Sequence, residues 1–378
     1  VRLDPDDVAI CVSDPIPDGP EASPTCPPVV QTSLFSFPTF RALTEGLGAE
    51  HEHTVYSRGR NPTVAAVEDR LAQLERGEAA LAFASGMGAI SAVLHGTLRA
   101  GDHVLFVNQT YGPTLQLARY LDRFRVAHDV CLDLDPAAVE RSLRPETRLI
   151  WMESPGTMLF RVLDVEAVTQ RARERGIVTC LDNSWATPLL QKPLELGVDI
   201  VVHTATKYLG GHSDLVAGVV VSTAERVERL FYDVYLLNGA TLAPWTAWLL
   251  LRGMRTLPAR LRQHEADGTA VAEFLEAHPG IRRVHHPALT AEPKLVERQL
   301  RGFSGTFSFE LATNEFERVS RFIDALKRFR IGVSWGGVES LVISPARPQA
   351  PSPLVRLSVG LEGVDLLIAD LEQALDAA

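Results

Sequence analysis

The stretch His203-Thr-Ala-Thr-Lys207-Tyr-Leu-Gly-Gly-His-Ser-Asp214 concentrates residue types that do chemistry. A lysine amine becomes a nucleophile and base when its pKa falls from about 10.4 towards neutrality, or when it is stored as an adduct with a carbonyl. Thr204 and Thr206 precede Lys207 and could donate hydrogen bonds to a phosphate, and Gly210-Gly211 would let the backbone pass close to a ligand. The apolar run Val198-Asp-Ile-Val-Val202 before it reads as a buried strand. A surface lysine after a strand is the plain alternative, and on this stretch alone the two readings stand level.

Other parts of the chain shift the balance. Ser85-Gly-Met87 closes one apolar run and opens a helical one, so free N–H groups and the helix dipole could hold a phosphate there. Tyr111 follows the next apolar run, where an exposed aromatic could stack on a flat ring. Asp182 ends the run Ile177–Leu181, and a carboxylate in so apolar a setting needs a partner because an unpaired buried charge is costly. A protonated pyridine nitrogen would be such a partner. Phosphate cradle, stacking tyrosine, buried carboxylate and lysine with flanking hydroxyls together describe a pyridoxal 5'-phosphate (PLP) site.

These residues need elements to position them. Residues 80–84, 103–107, 148–152, 177–181 and 198–202 read as strands, and 86–98, 113–124 and 165–175 as helices between them. Apolar strands alternating with amphipathic helices predict an α/β fold with a largely parallel sheet covered on both faces, whose ligands bind beyond the carboxyl ends of the strands. A helix start is expected at Pro62 and a long helix from Pro244 to about Ala277. Strand and helix patterns at 305–311, 316–329, 354–359 and 364–375 then predict a smaller C-terminal α/β domain. Boundaries near 55 and 245 divide the chain into an arm (1–55), a cofactor-binding domain (56–245) and a C-terminal domain (246–378). Pro15, Pro17, Pro20, Pro24, Pro27 and Pro28 make the arm unsuited to helix, so it is expected to lie on another part of the protein or on a neighbouring subunit.

Composition narrows the class. The 378 residues carry 37 Lys and Arg against 47 Asp and Glu, a net charge of −10, and no basic run, which argues against a nucleic-acid surface. No apolar run approaches the roughly 18 residues of a membrane span. Asp4, Asp6 and Asp7 stand where a secretory leader would be basic and then apolar. Cys11, Cys26, Cys131 and Cys180 lie far apart without metal or redox spacing, as expected of reduced thiols in a cytoplasm, and no metal site is expected.

Asp182-Asn-Ser-Trp-Ala-Thr-Pro188 together with His203–Asp214 resembles the Cys/Met-metabolism family of PLP enzymes, and the resemblance runs from about Pro27 to the C-terminus. It implies the aspartate-aminotransferase-like fold type I, with Lys207 as the lysine that carries the cofactor and Asp182 as the partner of its ring nitrogen. Tyr111 would stack on the ring. Gly86 and Met87, by their N–H groups, and Thr204 and Thr206 would hold the phosphate. Tyr56 and Arg58 match residues that reach the phosphate from a neighbouring subunit, which implies a homodimer with shared active sites, paired into a homotetramer. Arg356, in Val355-Arg-Leu-Ser-Val-Gly-Leu-Glu362, matches the arginine that forks onto the substrate carboxylate, with Ser334 and Trp335 beside it.

Within the family the details divide. Ser334-Trp-Gly-Gly337, Glu153-Ser-Pro-Gly156, Trp185, Ala205-Thr-Lys207 and Pro113 resemble the cystathionine β-lyase branch; Asn61-Pro-Thr63 and Ala186-Thr-Pro188 resemble γ-synthases and γ-lyases. Thr157 stands where many members carry Asn, and the segment between Glu339 and Arg356 is short and proline-rich, which suggests a reshaped substrate pocket. The leading expectation is β-elimination from cystathionine or a cysteine S-conjugate, because γ-chemistry needs a second proton removed at Cβ and no second base stands out. The alternative is γ-elimination or γ-replacement on cystathionine, methionine or an O-acyl-homoserine. A silent relative kept for binding is disfavoured by the joint presence of Lys207, Asp182, Tyr111 and Arg356.

Overall fold

The structure, a computed structural model, describes residues 1–13, 25–290 and 292–377. Pro15, Pro17, Pro20 and Pro24 of the expected arm lie outside the described residues. Seven strands form the larger sheet: β1 (Ala79–Phe83), β2 (His103–Val107), β3 (Ala127–Cys131), β4 (Thr147–Glu153), β5 (Val178–Asp182), β6 (Ile200–His203) and β7 (Gly218–Ser222). Their order is β1-β7-β6-β5-β4-β2-β3. Only β7 runs antiparallel to its neighbours, so the other six point the same way. Alternate side chains enter two separate cores. Val104, Phe106, Leu149, Trp151 and Cys180 face one side, and Leu105, Val107, Ile150, Met152 and Leu181 face the other. Both faces are buried, which is why these strands read as unbroken apolar runs.

A second sheet comprises β8 (Ile281–His285), β9 (Thr306–Leu311), β10 (Arg330–Ile331), β11 (Leu341–Ile343) and β12 (Leu354–Ser358), in the order β10-β11-β12-β9-β8. It is antiparallel except for the short β10–β11 pairing. The helix Pro244–Ala277 packs against β8 and β9 of the smaller sheet and against the helix Pro62–Glu75, which itself lies on β1 and β7 of the larger one. Two further bonds tie the sheets together: Trp185 Nε1 donates to Thr306 O at 2.8 Å, and the Tyr208 and Thr306 hydroxyls are 2.7 Å apart.

The described part of the N-terminal region lies on another part of its own chain, one of the two placements expected, and includes a helix that was not. A helix, Pro5–Val12, forms ahead of the prolines, capped by the Asp4 side chain on Asp6 N–H. It docks on its own chain: Cys11 is buried, and buried Asp7 pairs with Lys192 and Arg76, each at 2.9 Å. Thr25 and Pro27 are likewise tied down by Arg255 and Trp248 of the long helix. A second unexpected helix spans Phe40–Gly48.

Candidate active site

Six parallel strands deliver their carboxyl ends to one rim, and the candidate residues gather there. Ser85 follows β1 and caps the helix Gly86–Thr97, its Oγ accepting from Gly88 N–H at 3.0 Å. Tyr111 opens the helix Gly112–Leu121 beyond β2. Glu153, Asp182 and His203 are the last residues of β4, β5 and β6. Together with Arg356 of β12 and Trp335 from the smaller sheet's side, these elements enclose a cavity of about 270 Å³. It is lined by Ser85, Gly86, Met87, Tyr111, Asp182, Thr204, Thr206 and Lys207 among others.

Lys207 donates from Nζ to Ser334 Oγ at 2.8 Å and lies 5.3 Å from the Trp335 ring centroid. Burial brings its pKa down to about 8, helped by the positive Arg356 and opposed by Asp182. The amine therefore exchanges protons near neutral pH, as a general base needs. Arg356 donates from Nη2 to Val333 O at 2.8 Å and Ser334 O at 3.2 Å, so it also steadies the loop that holds Lys207.

Asp182 faces Glu153 across paired strands. Burial raises both carboxyl groups, Glu153 to about 8 with the Asp182 charge adding to the effect. Two buried carboxylates side by side do not both ionise readily. Burial raises Asp182 against the pull of Ser184, which donates to its Oδ1 from N–H at 3.0 Å and from Oγ at 2.5 Å, and of Lys207. Glu153 holds the proton and accepts from Tyr111 N–H at 2.6 Å. The sequence reading did not single out Glu153 as a site residue. The signal was available: like Asp182, it is a carboxylate closing an apolar run.

The phosphate side is tight. A Cβ on Gly86 would lie 2.2 Å from Thr204 Oγ1, so only glycine lets the helix N-terminus come this close to the strand end. Thr204 N–H donates to Ser184 Oγ at 2.6 Å, while the Thr206 hydroxyl donates to Ala217 O and accepts from Ala217 N–H. Gly210 and Gly211 do not face the cavity. A Cβ on Gly211 would strike Arg260, and Gly210 O sits 2.2 Å from where a Cβ of Gly253 would be, so these glycines serve packing against the long helix, not ligand approach.

Tyr56 and Arg58 are not brought to the cavity of their own chain. Tyr56 is 43% exposed, with Arg58 stacked 5.4 Å from its ring centroid. The proline-rich segment before Arg356 forms a hairpin, closed by paired hydrogen bonds between Arg347 and Ala350, and its residues do not line the cavity. Thr157 does line it.

The sequence matches the family described as Cys/Met metabolism PLP-dependent enzyme over residues 11–376. The chain belongs to this family. As a PLP enzyme of Cys/Met metabolism it is 41% identical to the L-methionine gamma-lyase of Pseudomonas putida over 371 residues, 93% of this chain and 92% of the relative. It is 38% identical to the cystathionine gamma-synthase of Mycobacterium tuberculosis over 360 residues, 92% of each. Its fold superposes on metB from Corynebacterium glutamicum with a TM-score of 0.90 at 32% identity, covering 98% of this chain and 97% of that one. The two sequence relatives carry γ-chemistry in their names, so the comparisons favour the γ reading over the β-lyase expected from the sequence. The cavity fits PLP on its own terms: a helix N-terminus with a Cβ-free approach for a phosphate, a buried carboxylate for a ring nitrogen, and a lysine of lowered pKa. Among the described residues there is no cluster suited to a metal, and no helix is long and apolar enough to cross a membrane.

Proposed function

We propose that this enzyme catalyses PLP-dependent γ-elimination or γ-replacement on a sulfur-bearing or O-acylated four-carbon amino acid. The observation that carries the proposal is the extended similarity to γ-acting enzymes, 41% and 38% identical over more than nine-tenths of the chain. The sequence argument for β-cleavage rested on the lack of a second group to handle the additional proton. That argument weakens, because Lys207 and Glu153 line one cavity with pKa values both moved to about 8, and Tyr111 lines it too.

When bound, PLP supplies an electron sink that eases loss of protons beside the substrate's amino-bearing carbon. Gly86 and Met87 N–H groups and Thr204 would hold its phosphate, and Thr206 would join them only by turning its hydroxyl away from Ala217 O; Tyr111 would cover the ring, Asp182 would pair with the ring nitrogen, and Lys207 would carry the cofactor between turnovers. Arg356 forks onto the substrate carboxylate. Ser334 Oγ holds the freed Lys207 amine over the cavity. That amine would take the proton from Cα, give it up before taking a second from Cβ, since one nitrogen holds only one extra proton, and return that second proton as the Cγ bond breaks. Tyr56 and Arg58 act on the phosphate of a neighbouring subunit, which makes a homodimer the smallest competent unit, with pairing into a tetramer.

Product identity tests the assignment. With L-methionine or L-cystathionine, 2-oxobutyrate is expected, and with an O-acyl-homoserine plus a thiol, the replacement product. Pyruvate and homocysteine as the dominant products from L-cystathionine would overturn the γ reading and restore the β one.

A further inference from the structure

A buried polar chain lies behind Asp182, and none of the roles above uses it. His203 and Glu75 are both fully buried, and His203 Nε2 stands 2.6 Å from Glu75 Oε1, the last residue of the helix Pro62–Glu75. Asn183, next to Asp182, donates from Nδ2 to the same Glu75 oxygen at 2.8 Å. Asn183 N–H in turn donates to Val202 O at 2.8 Å, which locks the ends of β5 and β6 together. His203 Nδ1 and Glu75 Oε2 are buried with no hydrogen-bond partner.

Such an arrangement is a poor way to gain stability. A buried ion pair seldom outperforms apolar residues of the same volume, and unpartnered buried atoms add cost. Its position offers another reason for it. His203 ends the strand beside Asp182's and immediately precedes Thr204, and Asn183, bonded to Glu75, follows Asp182 directly. Titratable groups flank this polar chain on both sides. Lys192, itself paired with Asp7, lies behind Glu75, while Lys207 and Glu153 face Asp182 from the cavity side.

We propose that Glu75 and His203 form a positioning dyad that, through Asn183, holds the end of β5 and so keeps the Asp182 carboxyl aimed at the cofactor's ring nitrogen. Glu75 joins the ends of the two strands, taking Asn183 Nδ2 from β5's side and His203 Nε2 from β6 on one oxygen. Without the dyad, Asp182 would no longer be held against the ring nitrogen. The inference rests on the assignment of Asp182 to the ring nitrogen.

The test compares PLP with its 1-deaza analogue, in which C–H replaces the ring nitrogen. Binding of each to cofactor-stripped protein is measured by equilibrium dialysis, for wild type, His203→Gln and Glu75→Gln. Each variant is expected to lose about tenfold or more in PLP affinity while its affinity for the analogue stays within about twofold. The bound-PLP absorption of both variants should titrate at lower pH, because the ring nitrogen gives up its proton more readily. Glu75→Gln keeps side-chain shape, so it carries the test should His203→Gln fail to fold. Equal losses for both cofactors would mean a structural role and overturn the proposal, as would no loss for either. Wild type that binds the two cofactors equally well would overturn the Asp182 assignment, and the dyad with it.

Discussion

The larger sheet offers the cavity its strand ends, whereas the smaller one offers the side of a strand. In the parallel sheet, chain direction alone brings Ser85, Tyr111, Glu153, Asp182 and Thr204 to one rim, together with the N-terminus of Gly86–Thr97. In the antiparallel sheet, alternation decides: Val355 and Leu357 are buried in the core, and Arg356 between them turns out to the cavity. Topology therefore fixes the cofactor's floor, which is hard to alter piecemeal. The contacts proposed for the substrate are single side chains, Arg356 and Trp335, replaceable without moving a strand. A family can thus keep one cofactor while its members part company over β- and γ-bonds.

Substitutions can break this division. Lys207→Ala should lower turnover on the order of 10⁴-fold or more, since it removes both the covalent anchor and the proton carrier. Borohydride should attach the cofactor to Lys207 in wild type and to nothing in the variant, read by peptide mass. Arg356→Ala should cost on the order of 10²-fold in kcat/KM, as for other charge-assisted pairs truncated on one side, with PLP affinity unchanged. Loss of PLP affinity in that variant would show that the smaller sheet also holds the cofactor.

Subunit sharing gives a subtler outcome. Arg58→Ala and Lys207→Ala proteins, each inactive and then mixed with subunit exchange, should recover about a quarter of the sites, because half the dimers are mixed and each has one intact site. No recovery with exchange verified would assign Arg58 to its own chain's site. The smallest effect concerns protons. Lys207 has a pKa near 8 in the folded protein and about 10.4 unfolded, so the unfolded chain binds the extra proton between those values. Stability of the cofactor-free protein should rise with pH across that window, the contribution being lost as pH falls through about 8. PLP capture should speed up over the same rise through 8. Lys207→Met should flatten the stability slope in a series of pH-dependent melts; an unchanged slope would refute the lowered pKa.

Much of the architecture is legible because both-face burial writes strands as apolar runs. The sequence reading gives β1, β2, β4, β5 and β6 and the helix Pro244–Ala277, and it misses others for physical reasons. At the edge, β3 carries exposed and half-buried Ala127, His128, Asp129 and Val130, so it lacks that signature. With two and three residues, β10 and β11 are too short to show a period. The cofactor-side residues are legible because each breaks a local rule, such as a carboxylate closing an apolar strand. Glu153 breaks the same rule and is still missed, since it is the register with Asp182 that reveals the coupling. The β or γ outcome is not written in any one residue; two branches share most of the motifs.

The helix Pro244–Ala277 has a consequence for how this site can evolve. Its backbone touches Gly210 at Gly253 and Gly305 at Gly268, both too close for a Cβ. The two contacts are fifteen positions apart along the helix, roughly 22 Å at 1.5 Å per residue. One end sits beside the loop that follows Lys207, the other beside the strand that pairs with Arg356's strand. The rod is thus a ruler: it spaces the loop after Lys207 from the start of β9 in units that point mutation does not change. Changes of cavity shape are left to the side chains that line its walls.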